Sequence, residues 1–218
     1  MSRTIPEPLV LPWDLKENLS AKSGVDTLVD GRKRFWVEEV LKGITPPMLK
    51  WWFAHLDGNM EIEGRQVLRY RVWHPYDHVY VTYVRRCSDG SIGPGAQIAN
   101  LEFLARNPRY RVQVVATIER LDEEVFVHNI DVAGLQMARM EHTFEAVRGG
   151  TRFGHFFIIP GAPIPFLEKV AVPLWFSDKK GHAWLKHAVE EMGNLPNFLP
   201  QLYERETAAK SGTALAAQ

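Results

Sequence analysis

Cysteine is nearly absent from this sequence, and its scarcity limits the kinds of protein that the chain can be. The single Cys87 excludes an internal disulfide and any cysteine-rich zinc module. No apolar run approaches the roughly 20 residues that a helix needs to span a bilayer. Residues 1–12 lack the basic segment and apolar core of a secretory signal. We therefore expect a cytoplasmic protein with no membrane partner.

An excess of charge of either sign is missing too. Lys and Arg together number 26, as do Asp and Glu, so the formal net charge is zero. Because nucleic-acid binding usually needs a basic patch, no nucleic-acid partner is expected. Hydrophobic residues make up 45% of the 218 positions. That is enough for a sizeable core in one large domain, or in one domain with a small appendage.

The familiar catalytic signatures are also missing. The sequence contains no Gly-rich phosphate loop, no Gly-x-Ser-x-Gly element and no His-Glu-x-x-His helix. Its nearest glycine cluster, residues 90–95, includes a proline and has no following Lys-Ser or Lys-Thr pair, so it is typical of a turn. These absences disfavour a serine hydrolase and a nucleotide-dependent enzyme.

Hydrophobic periodicity predicts the order of secondary structure. Residues 34–41 alternate as a strand, and residues 45–47 (Thr-Pro-Pro) predict the start of a helix that ends at residues 57–59. Residues 64–159 contain several β-branched runs separated by short turns, which favours antiparallel hairpins. A loop is expected over residues 160–165.

The last predicted element is a long helix, which Ser177 can cap and which covers residues 178–192. A curved antiparallel sheet around this helix would enclose a cavity. The predicted fold class is therefore α+β, with the helix-grip arrangement of Bet v 1-like and START-type proteins. Three parts are expected along the chain: an irregular arm over residues 1–31 that lies on the body or on a second subunit, a helix-grip domain over 32–207, and a flexible tail over 208–218.

Residues 70–78 are the richest candidate for chemistry. They read Tyr-Arg-Val-Trp-His-Pro-Tyr-Asp-His, so two histidines, an aspartate and three aromatics fall within nine positions. Strand-like runs on both sides would place this stretch at the junction of two strands, where side chains are held rigidly enough for a metal or catalytic site. The alternative interpretation is a turn whose polar side chains bond their own backbone.

A second candidate lies on the last helix. His187 and Glu191 are four residues apart, so their side chains are neighbours on one helical face and can reach one metal ion. Glu190 points further towards solvent. Such a pair is also common on exposed helices, where it only solvates a face. Together with His78, the pair would supply three of the four ligands of a zinc site.

A second carboxylate would complete that ligand set. Glu102 is favoured because it sits among apolar residues, where an unpaired carboxylate would be costly. The other candidates are Glu119, Asp131 and Glu141. The alternative interpretation of Glu102 is an ion pair with a neighbouring arginine.

Three segments together resemble the family of diacetylphloroglucinol and phloretin hydrolases. The segments are residues 49–53 (Leu-Lys-Trp-Trp-Phe), residues 70–78, and His187-x-x-x-Glu191 followed by residues 194–203. The resemblance spans roughly residues 45–206, and the Trp-His-Pro-x-Asp-His element is its most specific part.

The resemblance implies a zinc-dependent hydrolase. Such an enzyme would use a zinc-bound water to cleave the carbon–carbon bond between an acyl group and a polyhydroxylated aromatic ring, so its partner is a small aromatic ketone. A Bet v 1-like fold, a homodimer and a zinc ion with two histidine and two glutamate ligands are also implied. Matched by motif, the ligands are His78, His187 and Glu191. The fourth falls on Glu102, across loops of different length.

Further site residues follow from the same resemblance. Tyr70 matches a tyrosine that hydrogen-bonds substrate oxygens, and His142 matches a histidine of the substrate pocket. Both are therefore predicted to be catalytic and substrate-binding residues. His74 and Asp77 are expected to shape the turn and to hold the ligand His78 in place without binding the metal themselves.

Two departures from the family pattern concern the substrate. Val81 stands where a polar substrate contact is expected, and residues 153–157 offer phenylalanines where a tyrosine is expected. A less polar or differently substituted substrate is therefore expected. Two other functions stay open: a zinc hydrolase acting on another ketone or ester, and a non-catalytic helix-grip carrier of an aromatic or lipid ligand.

Overall fold

The structure is a computed structural model that describes residues 5–15, 20–132, 135–159 and 176–215. In chain order, its helices and strands are β1 (Lys22–Thr27), β2 (Lys33–Lys42), α1 (Pro46–Ala54), β3 (Asn59–Ile62), β4 (Arg65–Leu68), α2 (Arg69–Trp73), β5 (His78–Arg85), β6 (Gln97–Phe103), β7 (Arg111–Leu121), β8 (Val125–Val132), β9 (Leu135–Val147), β10 (Gly150–Ile159), α3 (Asp178–Asn194) and α4 (Leu199–Leu215). Short 3₁₀ turns cover Leu104–Arg106, Pro108–Tyr110 and Leu195–Asn197.

Eight strands form one antiparallel sheet in the order β1-β2-β10-β9-β8-β7-β6-β5. From β5 to β10 each strand pairs with the next in sequence, and β2 joins the early strands to the far side by pairing with β10. The remaining strands, β3 and β4, form a separate hairpin. One face of the large sheet packs around α3, which confirms the predicted α+β helix-grip fold.

Helix α3 lies against the inner face of the sheet through its apolar side. Trp184, Ala188 and Met192 recur at helical spacing and are all buried. The hydroxyl of Ser177 accepts a hydrogen bond from the backbone N–H of Lys180 at 3.3 Å, as predicted for the helix cap. Close approach to β2 requires Gly181, because a side chain at that position would collide with the ring of Phe35.

Strands β4 and β5 lie on either side of residues 70–78, as predicted, and the stretch itself begins in the short helix α2. Contacts with α3 hold this helix in place. The Trp73 indole donates to the Glu191 carbonyl at 2.9 Å, and the buried Asn194 amide donates to the carbonyls of Val72 and Trp73 at 2.8 and 3.0 Å.

The ends of the chain differ from their predictions. Lys22–Thr27 form strand β1 inside the arm that was predicted to be irregular, because the edge of β2 supplies backbone partners for them. Towards the C-terminus, α4 continues to Leu215 through the predicted tail, where alanines favour a helix. Helix α1 ends at Ala54, before the predicted stop. The loop expected over residues 160–165 lies outside the described residues.

The first described segment lies on the body of the same chain. The backbone N–H of Leu9 donates to the carbonyl of Pro75 at 3.1 Å. The Trp13 indole donates to the side-chain oxygen of Asn194 at 2.8 Å and stacks on Phe198. The arm therefore covers the junction between α2 and α3. None of the helices in the described ranges is long and apolar enough to span a bilayer.

Candidate metal centre

Strands β5 and β6 bring the first two predicted ligands together. His78 is the cross-strand partner of Glu102 in the antiparallel register. Side chains of such partners lie on the same face of a sheet, within reach of each other. Both point inwards, because His78 is 1% exposed and Glu102 is 9% exposed.

Helix α3 brings the other two predicted ligands to the same place. The Nε2 atoms of His78 and His187 are 3.2 Å apart. One carboxylate oxygen of Glu191 is 3.5 Å from His187 Nε2 and 3.6 Å from His78 Nε2. A carboxylate oxygen of Glu102 is 4.0 Å from His187 Nε2. All four side chains predicted as ligands thus converge.

These separations match the donor spacing of a small tetrahedral metal site. With bonds of about 2.0–2.2 Å from zinc to nitrogen and oxygen, neighbouring donor atoms of a tetrahedron lie about 3.3–3.5 Å apart. His78, His187 and Glu191 fulfil this spacing in the structure, and Glu102 lies just outside it, 4.0 Å from His187 Nε2. The four residues could therefore hold a metal ion.

The outer nitrogens of the two histidines show which atoms face the centre. His78 Nδ1 lies 2.7 Å from the backbone carbonyl of Tyr70, and His187 Nδ1 lies 3.0 Å from a carboxylate oxygen of Asp77. Because a carbonyl and a carboxylate only accept hydrogen bonds, each Nδ1 carries the proton. In the neutral rings, both Nε2 lone pairs then point at one another, an arrangement that only a shared cation relieves.

Asp77 is itself held by backbone donors. The N–H groups of Ala105 and Arg106 donate to its two carboxylate oxygens at 2.9 and 3.0 Å. Both residues adopt left-handed backbone conformations, with φ of 53° and 51°, at a cost on the order of 1 kcal/mol each. The chain thus adopts a strained turn that orients the carboxylate behind His187, as outer partners of metal-bound histidines do.

His74 lies beside Asp77, on the side of His187 that faces away from the candidate centre. Its Nδ1 accepts a hydrogen bond from the backbone N–H of Asp77 at 3.1 Å, and its ring stacks on His187 with centroids 4.3 Å apart. Its other nitrogen is 3.4 Å from the carboxylate of Glu190. The two histidines of the 70–78 stretch therefore face different surroundings, with only His78 directed at the other three ligand candidates.

The charges at the centre favour an ionised Glu191 beside a cationic group. Burial alone would lower the pKa of His187, but the carboxylates of Glu191 and Asp77 raise it well above its ordinary value. Although burial would raise the pKa of Glu191, the charge of His187 lowers it well below the usual range. Burial raises the pKa of Glu102. Without a metal, a proton on His187 therefore supplies the cation that the carboxylates need.

Tyr70 contacts the centre through Glu102. Its hydroxyl donates to a carboxylate oxygen of Glu102, and the side-chain amide of Asn100 donates to both the Tyr70 hydroxyl, at 3.3 Å, and the same carboxylate. Burial and the Glu102 charge raise the pKa of Tyr70 well above its ordinary value, so the hydroxyl keeps its proton. Asn100 was not predicted, yet it is the cross-strand partner of Val81, the position where a polar contact was missing.

His142 does not contact the proposed ligands directly, because His155 lies between them. Its ring is 4.2 Å from that of His155, and His155 Nδ1 is 3.2 Å from a carboxylate oxygen of Glu191. His155 was missed in the sequence, because only the register of β9 and β10, which makes it the partner of His142, brings it to the site. Burial lowers the pKa of His142 well below its ordinary value, so its imidazole is neutral at pH 7.

The other carboxylates considered for the fourth ligand lie elsewhere. Glu119 and Glu141 both form ion pairs with Arg139. Glu119 and Asp131 are exposed, and Glu141 is about a quarter to a third exposed at its side chain. None of the three approaches the cluster around His187. Of the carboxylates weighed, Glu102 alone lies at the centre, because β6 aligns it with His78.

A cavity of about 360 Å³ lies between α3 and strands β6 to β10. It meets the candidate centre at Glu102 and Asn100, and His128 and Trp184 form part of its wall. Of the phenylalanines in residues 153–157, Phe157 lines this cavity. The cavity therefore reaches the candidate centre at Glu102, which is the ligand candidate among its lining residues.

The fold and this cluster together define a helix-grip protein with a buried histidine–carboxylate centre. Residues 15–94 match the family model described as the DAPG hydrolase PhiG domain. The matched segment contains α1, Tyr70 and His78, and it supports the resemblance seen in the sequence motifs. None of the curated proteins matches the chain.

Solved structures share the fold at low sequence identity. Protein Ms6760 from Mycobacterium smegmatis has a TM-score of 0.50 at 12% identity, over 84% of this chain and 98% of its own. A protein from Rhodobacter sphaeroides has a TM-score of 0.51 at 12% identity, over 84% and 99%. A START superfamily protein from Mycobacterium smegmatis has a TM-score of 0.46 at 10% identity, over 77% and 98%. At these identities the first two similarities speak for the fold alone.

Proposed function

We propose that this protein is a zinc-dependent hydrolase of the carbon–carbon bond between an acyl group and a polyhydroxylated aromatic ring. The observation that carries the proposal is the convergence of His78, His187 and Glu191 at the spacing of a tetrahedral site, with Glu102 beside them at 4.0 Å from His187 Nε2. The match of residues 15–94 to the DAPG hydrolase PhiG domain supports the substrate class, an acylphloroglucinol.

The donor set fits zinc. Imidazole nitrogens and carboxylate oxygens are ligands that zinc accepts, and the buried cluster contains two of each. Held there, zinc would lower the pKa of a water molecule towards about 7 and polarise the acyl carbonyl. The protein contributes orientation: Asp77 and the Tyr70 carbonyl fix the rings of His187 and His78.

Tyr70 is proposed to bind a ring oxygen of the substrate. Its hydroxyl keeps its single proton, so it can exchange the hydrogen bond to Glu102 for one to that oxygen and favour the keto form of the ring. Asn100 holds the hydroxyl in place from the neighbouring strand. The substrate would enter along the cavity wall that ends at Glu102 and Asn100.

His142 is proposed to bind the substrate in its neutral form. Burial among aromatic rings makes the imidazolium unfavourable there, so His142 acts as a hydrogen-bond partner and is a poor proton donor. Hydrolysis then adds the hydroxyl of water to the acyl carbon and the remaining proton to the ring carbon. The products are a carboxylic acid and the deacylated phenol.

Metal content and product release test this proposal together. Purified protein should contain one zinc per chain by elemental analysis, and the zinc-loaded protein should release free acid from at least one member of a panel of acylphloroglucinols. His187→Ala should lose both properties. His182→Ala is the matched control, because His182 is exposed on the same helix and bonds only to the backbone of Asp178 among its described contacts.

The results of these tests distinguish the proposed hydrolase from the two other functions considered for the sequence. Bound zinc without acid release from any acylphloroglucinol would remove the carbon–carbon hydrolase and leave a zinc hydrolase acting on another ketone or ester. Tight binding of an aromatic ketone without zinc or turnover would favour a carrier. The homodimer and the cytoplasmic location remain predictions, and light scattering on the purified chain checks the first of these.

A further inference from the structure

The cavity beside the candidate centre carries an excess of positive charge. Arg109, Arg111 and Lys180 line it, against the single carboxylate of Glu102. The chain as a whole has equal numbers of acidic and basic residues, so this excess is local. A concave wall of one sign concentrates ligands of the opposite sign.

Lys180 is the cation that lies deepest in this wall. It is 7% exposed, although lysine is seldom so buried. Its ammonium donates to the backbone carbonyl of Arg111 at 2.9 Å and lies 5.4 Å from the ring centroid of Phe176. Arg109 and Arg111 are exposed and so belong to the rim of the cavity. An ammonium carries three N–H donors, so Lys180 can bond to a ligand anion in addition to its partners in the fold.

The spacing along α3 separates Lys180 from the proposed metal ligand on the same helix. Lys180 and His187 are seven residues apart on the same helix, which places their backbones about 10 Å apart along the axis. An aromatic ring with an acyl group at one end and a small substituent at the other spans much of that distance. The carbonyl end would face Glu102 and the metal ligands, and the far substituent would face Lys180.

We propose that the substrate is an aromatic ketone with a negatively charged oxygen substituent across the ring from its acyl group, and that Lys180 binds that substituent. The proposal rests on the hydrolase function given above and adds the charge of the substrate to it. The anionic group is a carboxylate or an ionised phenol, since either offers oxygen acceptors for an ammonium donor.

Calorimetry on the zinc-loaded protein at pH 7 can test the charge preference with matched ketones. The probes are 4-acetylbenzoate, its neutral isostere 4-acetylbenzamide, and 4-hydroxy-3-nitroacetophenone, whose phenol is ionised at this pH. None carries the polyhydroxylated ring that the proposed cleavage needs, so binding is measured without turnover. We expect at least one of the two anions to bind about 10-fold more tightly than the amide, near the lower end of the effect of a hydrogen bond to a charged group.

Variants at neighbouring positions assign the preference to Lys180. Lys180→Met should remove the preference for the anion, and Lys180→Arg should keep most of it, which guards against a loss caused by misfolding. Lys179→Met is the control, because Lys179 is exposed on the same helix turn and should leave the preference unchanged.

The outcomes are distinct from those of the function test. Equal affinities of wild type for the anions and the amide, or an unchanged preference in Lys180→Met, would overturn the proposal. The anion that binds more tightly identifies the substituent as carboxylate or phenolate. If acylphloroglucinols release no acid while the preference depends on Lys180, the hydrolase proposal fails and the anion site stands. Acid release without the preference would instead remove the anion site and leave the hydrolase proposal standing.

Discussion

Two groups of histidines lie on the inner face of the sheet and helix α3, and their Nδ1 atoms distinguish them. His78 and His187 each hydrogen-bond through Nδ1 to a fixed acceptor, the Tyr70 carbonyl and the Asp77 carboxylate. In the second group, the Nδ1 atoms of His128 and His142 find no hydrogen-bond partner within the described part of the chain. His142 is as deeply buried as the first group and His128 is half-buried, whereas a fixed tautomer belongs to the first group alone.

The difference explains why one group suits a metal and the other suits a ligand surface. A fixed Nδ1–H leaves the lone pair of Nε2 aimed at a shared point, beside two carboxylates that supply negative charge. The second group has aromatic neighbours instead: the His142 ring lies near Phe53, Phe126 and Phe153. Those rings disfavour charge, and burial lowers the pKa of His128 to about 3.

The largest expected effect comes from removing a histidine of each group in turn. His78→Ala deletes a proposed ligand, so zinc affinity should fall by more than the roughly 100-fold that loss of an outer partner can cause. His142→Phe should leave zinc affinity within a few fold, because His142 reaches the centre only through His155. Competition with a chromophoric chelator measures both affinities. Equal losses in the two variants would remove the distinction between the groups.

A substitution of Tyr70 distinguishes a role in holding the metal ligands from a role in binding the substrate. Tyr70→Phe keeps the backbone carbonyl that holds His78 and deletes the hydroxyl next to Glu102. We expect stoichiometric zinc to be retained and acid release to fall about 100-fold, as for loss of one preorganised donor. Steady-state rates and elemental analysis on the same sample check this. Loss of zinc with the rate would instead make Tyr70 a residue that positions Glu102.

A substitution of Asp77 tests the role of the carboxylate that hydrogen-bonds Nδ1 of His187. Asp77→Asn keeps the size of the side chain but removes the negative charge behind His187, so zinc affinity should fall about 10- to 100-fold. Asp89→Asn is the matched control, because Asp89 is exposed and bonds within its own turn to Ser91. An affinity unchanged by Asp77→Asn would show that the acceptor on Nδ1 does not matter at this centre.

His128 gives the smallest effect, and it appears as a pH dependence of stability. The folded protein lowers the pKa of His128 from about 6.5 to about 3, so the unfolded chain binds the proton more readily between these values. This residue therefore favours unfolding by about 1 kcal/mol for each pH unit below 6.5. Denaturant melts of metal-free protein at pH 7 and 5 should show a smaller loss in His128→Phe than in wild type. An identical loss would mean that the ring is hydrated or charged in the fold.

Local patterns predicted much of the fold. The β-branched runs gave the hairpins from β5 to β10, and Ser177 with the apolar spacing of Trp184 and Ala188 gave helix α3. Helix α2 could not be read in this way, since its five residues favour a strand on their own and are held by Asn194 from another element. Strand β1 likewise depends on the free edge of β2.

The candidate site was visible in the sequence where spacing alone defines it. The separation of His187 and Glu191 places both on one helical face, but the meeting of Glu102 with His78 depends on the register of two strands. Asn100 and His155 gave no signal, because their contacts with Tyr70 and with Glu191 join segments that are distant in the sequence. Burial of Lys180 was equally hidden, as a lysine near the start of a helix is typical of a solvated surface.

X-ray absorption at the zinc edge of the loaded protein would show the ligands of the proposed centre. We predict one zinc per chain with four nitrogen or oxygen neighbours at about 2.0–2.2 Å, and outer scattering from two imidazole rings. Glu191→Gln should weaken or abolish this spectrum. A shell of six oxygens without imidazole scattering, or a sulfur neighbour, would contradict a centre built from His78, Glu102, His187 and Glu191.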